Sequence, residues 1–374
     1  MQFRDLKKQY EVLKPQMDAA IARVLATAQY IHGPQVEELE ARLAAYVGRK
    51  HCISCGDGTS ALQLSLMAWG IGPGDAVFVP DFTFFSTGEV ASAIGATPVF
   101  YDVLPDTFNA DARSLEQAIL AVQREGKLRP AAVAAVDLFG LSADYDAILA
   151  VAEKYGLPVL EDAAQGFGGV YHGRRCCSFG NTSITSFYPS KPVGCYGDGG
   201  AVFTDDDDQA VLLRSLSVHG KGSFKYDNVR IGMNSRLDSI QAAVLLVKMD
   251  AFEASELRDV NTVAGWYNEA LSDLPLDLPV VPEGCLSSWA QYTVKLPEGR
   301  DRNTLQAAMK ELGIPTMVFY PKPMHVQKAF GPESTVIPCP ETEKLCERVL
   351  SLPLHPYMKR EQVEAVAAAL RRCL

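Results

Sequence analysis

From Gln35 to about residue 240 the chain alternates apolar runs of strand length with segments whose apolar residues recur at helical spacing, and few chain organisations satisfy that rhythm. VEELEARLAAYV reads as a helix, HCISC as a strand, SALQLSLMAWG as a helix and AVFVP as a strand. STGEVASAIG, TPVFYDV, ARSLEQAILAVQ, PAAVAAVDL, YDAILAVAEKYG and LPVLED carry the alternation on. Short, continuously apolar strands are buried on both faces, which is the pattern of parallel strands joined by crossover helices. The expected fold class is therefore α/β with a mostly parallel central sheet. Around Arg236 the rhythm gives way to one long amphipathic stretch, RLDSIQAAVLLVKMDAFEASELRDVNTVAGWYNEAL, long enough to form a spine between two units. That places a large domain with an N-terminal helical arm over 1–250 and a smaller C-terminal α+β domain over 251–374. In the second unit AQYTVKL reads as a strand, TLQAAMKELG and REQVEAVAAALRRC as helices, and FYPKPMH as a loop.

A chain of 374 residues can bury a full core. Its net charge of -10 argues against nucleic acid as a main partner, because phosphate backbones demand basic surface. No apolar run approaches a membrane span, and MQFRDLKKQYEVLKPQ lacks the apolar core of a secretory signal, so a cytoplasmic location is expected. Nine cysteines, an odd number, fit reduced thiols in that compartment. Cys52 and Cys55 form a CxxC beside His51 that invites a zinc or redox reading. A structural zinc needs a second pair at similar spacing, and Cys176-Cys177 are adjacent, so CISC is expected to be a plain buried strand and no metal is expected.

Ligands of open α/β sheets sit beyond the carboxyl ends of the strands. After HCISC comes Gly56-Asp57-Gly58-Thr59-Ser60, opening into a helix. Its N–H groups suit a phosphate, but a plain helix start capped by Thr59 or Ser60 is the more frequent use of such a sequence. LPVLED ends in Glu161-Asp162, followed by Ala163-Ala164-Gln165. An acid there can cap a loop or partner a pyridinium. The run ITSFY reads as a strand, and Lys191 follows it in SFYPSKPVGCYGDGGAVF, hemmed by Pro189, Pro192 and Gly194. A Walker-type loop fails here, since its lysine follows the glycines and precedes Ser or Thr, whereas Pro192 follows Lys191. Phosphate anchor, ring-nitrogen partner and amine together meet the needs of pyridoxal 5'-phosphate.

IHGPQVEELE, CGDGTSALQLSL, PDFTFFST, EDAAQGFG, SFYPSK, GCYGDGGAVFT, HGKG, GMNSRLDSIQAAVL and SLPLHPY span nearly the whole chain. In these segments the sequence resembles the DegT/StrS nucleotide-sugar aminotransferases, a branch of the fold-type I pyridoxal phosphate enzymes. The resemblance implies an aspartate-aminotransferase-like large domain. It makes Lys191 the Schiff-base lysine and proton shuttle, Asp162 the partner of the ring nitrogen, Gln165 a neighbour of the ring oxygen and Phe84 the stacking aromatic. Gly58, Thr59, Ser60 and Ser186 match phosphate contacts. Asn234 matches a residue reaching the phosphate of a neighbouring subunit, which implies a homodimer with shared sites; taken alone, Asn234 reads as a helix cap.

The implied reaction moves an amino group from an amino acid, usually glutamate, to a nucleotide-linked keto sugar. FRDLKKQY, CISCGDGTSALQ, GMNSRLDSIQAAVLLVK and AQYTVKL are similar to the subgroup acting on a UDP-linked 3-keto-2-acetamido uronate, in biosynthesis of amino sugars and surface polysaccharides. Arg236 is then a candidate for the uronate carboxylate or for a salt bridge at a helix start. Tyr320, His325 and His32 are further candidates for substrate contacts. Phe319 departs from the subgroup, where a histidine more often precedes the Tyr-Pro, which leaves a 4-keto-6-deoxyhexose as an alternative substrate. A same-fold dehydratase would carry histidine in place of Lys191, and a silent regulatory relative would not need the intact lysine, aspartate and glutamine.

Overall fold

The computed structural model describes residues 1–224 and 226–374. Helices α1 (Leu6–Thr27) and α2 (Pro34–Val47) precede strand β1 (His51–Cys55). The alternation then runs α3 (Gly58–Ala68), β2 (Asp75–Pro80), α4 (Ser86–Ala93), β3 (Thr97–Tyr101), α5 (Ala112–Glu125), β4 (Arg129–Val136), α6 (Tyr145–Lys154) and β5 (Val159–Asp162). Two-residue strands β6 (Val170–Tyr171) and β7 (Arg174–Arg175) lead to β8 (Thr182–Ser186), β9 (Gly200–Thr204) and α7 (Asp207–Leu216). Helix α8 (Ser239–Ala251) continues through a π-helical turn, Phe252–Glu256, into α9 (Leu257–Leu271). The chain closes with β10 (Cys285–Leu286), β11 (Tyr292–Lys295), α10 (Arg302–Glu311), α11 (Pro340–Arg348), β12 (Val349–Leu352) and α12 (Arg360–Cys373).

The central sheet has seven strands in the order β1-β9-β8-β5-β4-β2-β3. Strands β3, β2, β4, β5 and β8 pair in parallel, while β9 runs antiparallel to both β8 and β1. One reversed strand therefore sits inside an otherwise parallel sheet, and its reversal follows from the lysine loop that joins it directly to β8. Successive residues face opposite sides, as the two-residue period of a strand requires. Ile53, Cys55, Val77 and Val79 join the core beneath α3, α4 and α7. Cys52 joins the core beneath α2 and α8, and Ala76 and Phe78 that beneath α5 and α6. Cys52 and Cys55 thus point to opposite faces and cannot share an ion; all nine cysteines are free.

Helix α1 lays Met17, Ala20 and Val24 against α8, so the N-terminal arm is fastened to that helix by an apolar stripe. Its first residues reach further, and Phe3 accepts a backbone hydrogen bond from Leu354 at 3.1 Å. A second cluster of apolar side chains joins α9, β11, β12, α10 and α12, with Tyr267 stacked on Tyr292 at 4.8 Å between centroids. At the turn between α8 and α9 the Phe252 ring lies so close to Gly168 that a Cβ there would sit 2.4 Å from it, and Gly168 holds φ +94. No helix among the described residues is long and apolar enough to cross a membrane.

One carboxylate ties β3 to the C-terminal part of the chain. Helix α11 begins with Pro340, which has no N–H, so its first free donors are at Glu341 and Thr342. Buried Asp102, just beyond β3, accepts both N–H groups and the Thr342 hydroxyl, each at 2.9 Å. Asp102→Ala leaves these donors unsatisfied and is expected to lower stability by about 2–3 kcal/mol, seen as a lower urea midpoint. Asp102→Asn, which keeps an acceptor, is expected to lose less.

Candidate active site

Residues that follow the C-terminal ends of β1, β2, β4, β5 and β8 meet at one edge of the sheet, because those strands share a direction. At the end of β5 the Asp162 side chain is 5% exposed. Its Oδ2 accepts from the Thr87 hydroxyl at 2.9 Å and its Oδ1 from the Ala164 N–H at 3.2 Å. With its proton given to Asp162, the Thr87 hydroxyl can only accept from Thr83, 3.3 Å away. Burial raises the Asp162 pKa above the usual carboxylate value, and Thr87, Ala164 and the charge of Lys191 oppose it. A carboxylate held in this state has room in its electrostatics for one more N–H donor.

Lys191 lies in the loop between β8 and β9. The strand ends at Ser186, so Phe187 and Tyr188 of the expected strand ITSFY already belong to this loop. Backbone bonds from Phe187 N–H to Gly199 and from Cys195 N–H to Phe187, both 2.7 Å, pinch its base, and Lys191 N–H closes a turn onto the Tyr188 carbonyl at 2.8 Å. Burial lowers the Lys191 pKa to about 8, with Asp162 pulling it up and Arg4 pushing it further down. The free amine is therefore a far larger fraction near neutral pH than in an ordinary lysine, although the ammonium still predominates.

Gln165, 4% exposed, is oriented by both ends of its amide. Its Oε1 accepts from Phe139 N–H at 2.9 Å and its Nε2 donates to the Tyr320 hydroxyl at 3.1 Å. Burial holds the Tyr320 phenol well above its ordinary pKa, so it remains a neutral hydrogen-bonding group. The Tyr320 ring is flanked by Phe82 and Phe84, with centroids 6.0 and 6.3 Å away. Phe84 leaves 53% of its surface exposed in the turn before α4, where an apolar ring face is free to receive a planar ligand.

The start of α3 completes the group. Asp57, and neither Thr59 nor Ser60, is its cap: it accepts from Ser60 N–H at 2.7 Å and from the Ser60 hydroxyl at 2.8 Å. The spacing Asp57-x-x-Ser60 carried that signal. Thr59 Oγ1 lies 2.8 Å from Ser86 Oγ, joining the starts of α3 and α4. Gly58 packs on Ser186 so closely that a Cβ at 58 would lie 2.7 Å from the Ser186 Cβ. A helix start lined with small residues and hydroxyls, a desolvated carboxylate, an oriented amide and a half-buried amine form a donor set that fits pyridoxal phosphate.

Three of the expected site residues form a separate group. Asn234 accepts a short hydrogen bond from Arg236, and neither side chain bonds to Lys191, Asp162 or Gln165. The cap of α8 is Asp238, which accepts from Gln241 N–H at 2.9 Å, so the capping reading of Asn234 is corrected. His32 is exposed at φ +52 in a turn fastened to the start of α8 by Gly33 N–H to Ser239 Oγ at 3.0 Å. His325 is committed elsewhere. Its Nδ1 and backbone N–H meet Asp81 at 2.7 and 2.8 Å, and its Nε2 lies 3.6 Å from Glu343. The Asp81 hydrogen bond, opposed by partial burial, raises the imidazole pKa. Sequence reasoning passed over Thr87 and Arg4, whose surroundings only long-range packing reveals.

Residues 12–371 match the model of the DegT/DnrJ/EryC1/StrS aminotransferase family. The chain is 45% identical over 370 residues to the UDP-2-acetamido-2-deoxy-3-oxo-D-glucuronate aminotransferase of Pseudomonas aeruginosa, covering 99% of each chain. It is similar to the crystal structure of a DegT DnrJ EryC1 StrS aminotransferase from Brucella abortus, with a TM-score of 0.96 and 48% identity over 100% of this chain and 99% of that one. It is also similar to NtdA from Bacillus subtilis, solved with bound cofactor PMP, with a TM-score of 0.86 and 29% identity over 96% and 82% of the two chains. The expected fold-type I architecture is thus shared with solved aminotransferases.

Gly58→Ala forces the new methyl group against Ser186. Affinity for pyridoxal phosphate is expected to fall at least about tenfold, roughly 1.4 kcal/mol, in an absorbance titration of the cofactor-free chain whose circular dichroism is unchanged.

Proposed function

Because the chain belongs to the DegT/DnrJ/EryC1/StrS aminotransferase family, we propose that it moves an amino group from glutamate to the keto carbon of a UDP-linked 3-keto-2-acetamido uronate. The product would serve amino-sugar and surface-polysaccharide synthesis in the cytoplasm. The observation that carries the reading is the desolvated Asp162 whose nearest titrating cation is the half-buried Lys191. The sugar follows the Pseudomonas aeruginosa relative, which acts on UDP-2-acetamido-2-deoxy-3-oxo-D-glucuronate.

Pyridoxal phosphate supplies, when bound, a ring that draws electrons from the carbon losing its proton. Asp162 would hold the ring nitrogen protonated, and Thr87 and Ala164 keep its carboxylate aimed. Gln165, fixed by Phe139 and Tyr320, would donate beside the ring oxygen. Phe84 would cover the ring face, while Gly58, Thr59, Ser60 and Ser186 would receive the phosphate. Lys191 Nζ, whose proton affinity burial lowers, would take the proton from the donor's carbon and return one to the sugar carbon. The division into a large unit over 1–250 and a smaller one over 251–374 would let the C-terminal part, through Tyr320, close on substrate.

A homodimer is part of this reading. Phe224, Tyr226, Val229 and Ile231 are all more than half exposed, and Ile231 reaches 88%. Apolar side chains so displayed on one segment favour a second copy of the chain as their cover. Asn234 and Arg236 follow directly, and they would enter the site of the second copy, with His32 near them. Mixing Lys191→Ala with Asn234→Ala chains under subunit exchange is then expected to restore activity, since one site per mixed dimer carries neither lesion. A proven heterodimer without recovery overturns the shared site.

The substrate is tested with the aminated enzyme and a panel of nucleotide 3-keto and 4-keto sugars, following return of the visible band of the lysine-linked cofactor. The UDP-linked 3-keto uronate is expected to restore it fastest. Arg236→Ala is expected to penalise the uronate by about 1.5–3 kcal/mol, the loss of a charge-assisted contact, and a 6-deoxy analogue much less. An unchanged ratio of catalytic efficiencies removes the uronate. Phe319, which packs edge-on against Phe3 at 6.3 Å in place of an imidazole, makes a 4-keto-6-deoxyhexose the substrate to compare.

A further inference from the structure

Arg4 is a cation drawn into the protein without a carboxylate at ion-pair distance. Its Nη2 donates to the backbone carbonyl of Lys191 at 3.2 Å, a contact across 187 residues of sequence. Its Nη1 is buried and has no hydrogen-bond partner. Burial lowers the guanidinium pKa to about 10, and the more distant Glu256 only partly opposes this. Glu256 is itself occupied, accepting from Gln9 Nε2 at 3.0 and 3.1 Å and from the Tyr357 hydroxyl. A desolvated and unpaired guanidinium costs free energy, so a fold that keeps one beside a reactive lysine retains it against stability. Groups of this kind cluster where chemistry is done.

The surroundings of this cation come from four parts of the chain. Arg4 and Gln9 of the arm, Pro189 and Lys191 of the loop, Glu256 of the π turn and His355 line one small cavity. Facing Lys191 are Asp162 from β5, which favours the ammonium, and Arg4, which disfavours it. Behind Arg4 stand Glu256 and Lys248, the latter lowered to about 8 by burial, raised by Glu256 and lowered by Arg4. His355 is pushed down to about 4 by burial, with nearby Asp5 opposing, and so adds no charge at neutral pH.

We propose that Arg4 is the positioning residue of Lys191: from the N-terminal arm it fixes the lysine's backbone through the carbonyl hydrogen bond and sets an unpaired cation beside its amine. The inference rests on the reading of Lys191 as the reactive lysine. Its consequence is that the arm takes part in the chemistry as well as in packing. An amine that must accept a proton from carbon is needed uncharged, and a neighbouring cation favours that form.

The test uses the cofactor-free full chain and reads the pH midpoint of Lys191 acetylation by peptide mass spectrometry. Arg4→Met, which keeps bulk and burial but removes the charge, is expected to move the midpoint upward, making labelling at pH 7.5 about threefold slower or more, equivalent to half a pK unit. Arg4→Lys, which retains a cation, is expected to stay closer to the wild-type midpoint, and provides the comparison should Arg4→Met fold poorly. A folded Arg4→Met chain with the wild-type midpoint overturns the proposal, and so does an Arg4→Lys midpoint raised by threefold or more at pH 7.5. Borohydride reduction of the wild-type holoenzyme separates this from the underlying reading. A pyridoxyl group mapped to another lysine removes the role of Lys191 itself, whereas one mapped to Lys191 with an unmoved Arg4→Met midpoint removes only the role of Arg4.

Discussion

Asp162 and Lys191 share one poorly solvated space, and the low polarity acts on them in opposite senses of charge. Burial pushes the carboxylate toward its acid and the ammonium toward its amine, so both lose part of the preference for the charged form that water would give them. The pair is thereby poised for proton traffic. Everything else at the site adjusts that poise: Thr87 and Ala164 favour the carboxylate, and Arg4 favours the amine. Larger or more hydrated neighbours would return both groups to their ordinary proton affinities and leave a plain salt bridge.

Strand order supplies the space. Asp162 ends β5 and Ser186 ends β8, its parallel neighbour, so the acid and the start of the lysine loop emerge side by side. Reversal of β9 then brings the loop straight back into the sheet, with Ser186 opposite Gly200. A crossover helix at this point would have carried Lys191 away from the sheet edge. On the next side β9 meets β1, whose end opens into Asp57 and Gly58, and the contact of Gly58 with Ser186 closes the cradle.

Much of this was legible in the residues because the underlying signals are local. Continuous apolar strands and amphipathic helices between Gln35 and Asp162 follow side-chain periodicity, and each expected element forms. CISC shows the same logic: it forms the expected buried strand, on which two cysteines three apart face opposite ways. Asp162, Gln165 and Lys191 come together because strand ends gather ligands. What stayed hidden depends on distance in sequence. The commitment of His325 to Asp81 spans two parts of the chain with no pattern linking them, and the reversal of β9 leaves no mark in GAVFT itself. Thr87 looks like any hydroxyl in a first helical turn, and FRDL gives no sign that its arginine ends beneath a lysine 187 residues away.

The course of the N-terminal arm has a consequence for how the protein is made. Phe3 pairs with Leu354, and Gln9 and Tyr357 converge on Glu256, so residues delivered early in translation find their partners among residues delivered much later. Until the segment from His355 to Tyr357 has been synthesised, Arg4 has only part of its final surroundings. A chain stalled before that segment cannot finish the environment of its own amine. Arrival of that segment and maturation of the amine's surroundings are, in this architecture, a single late event.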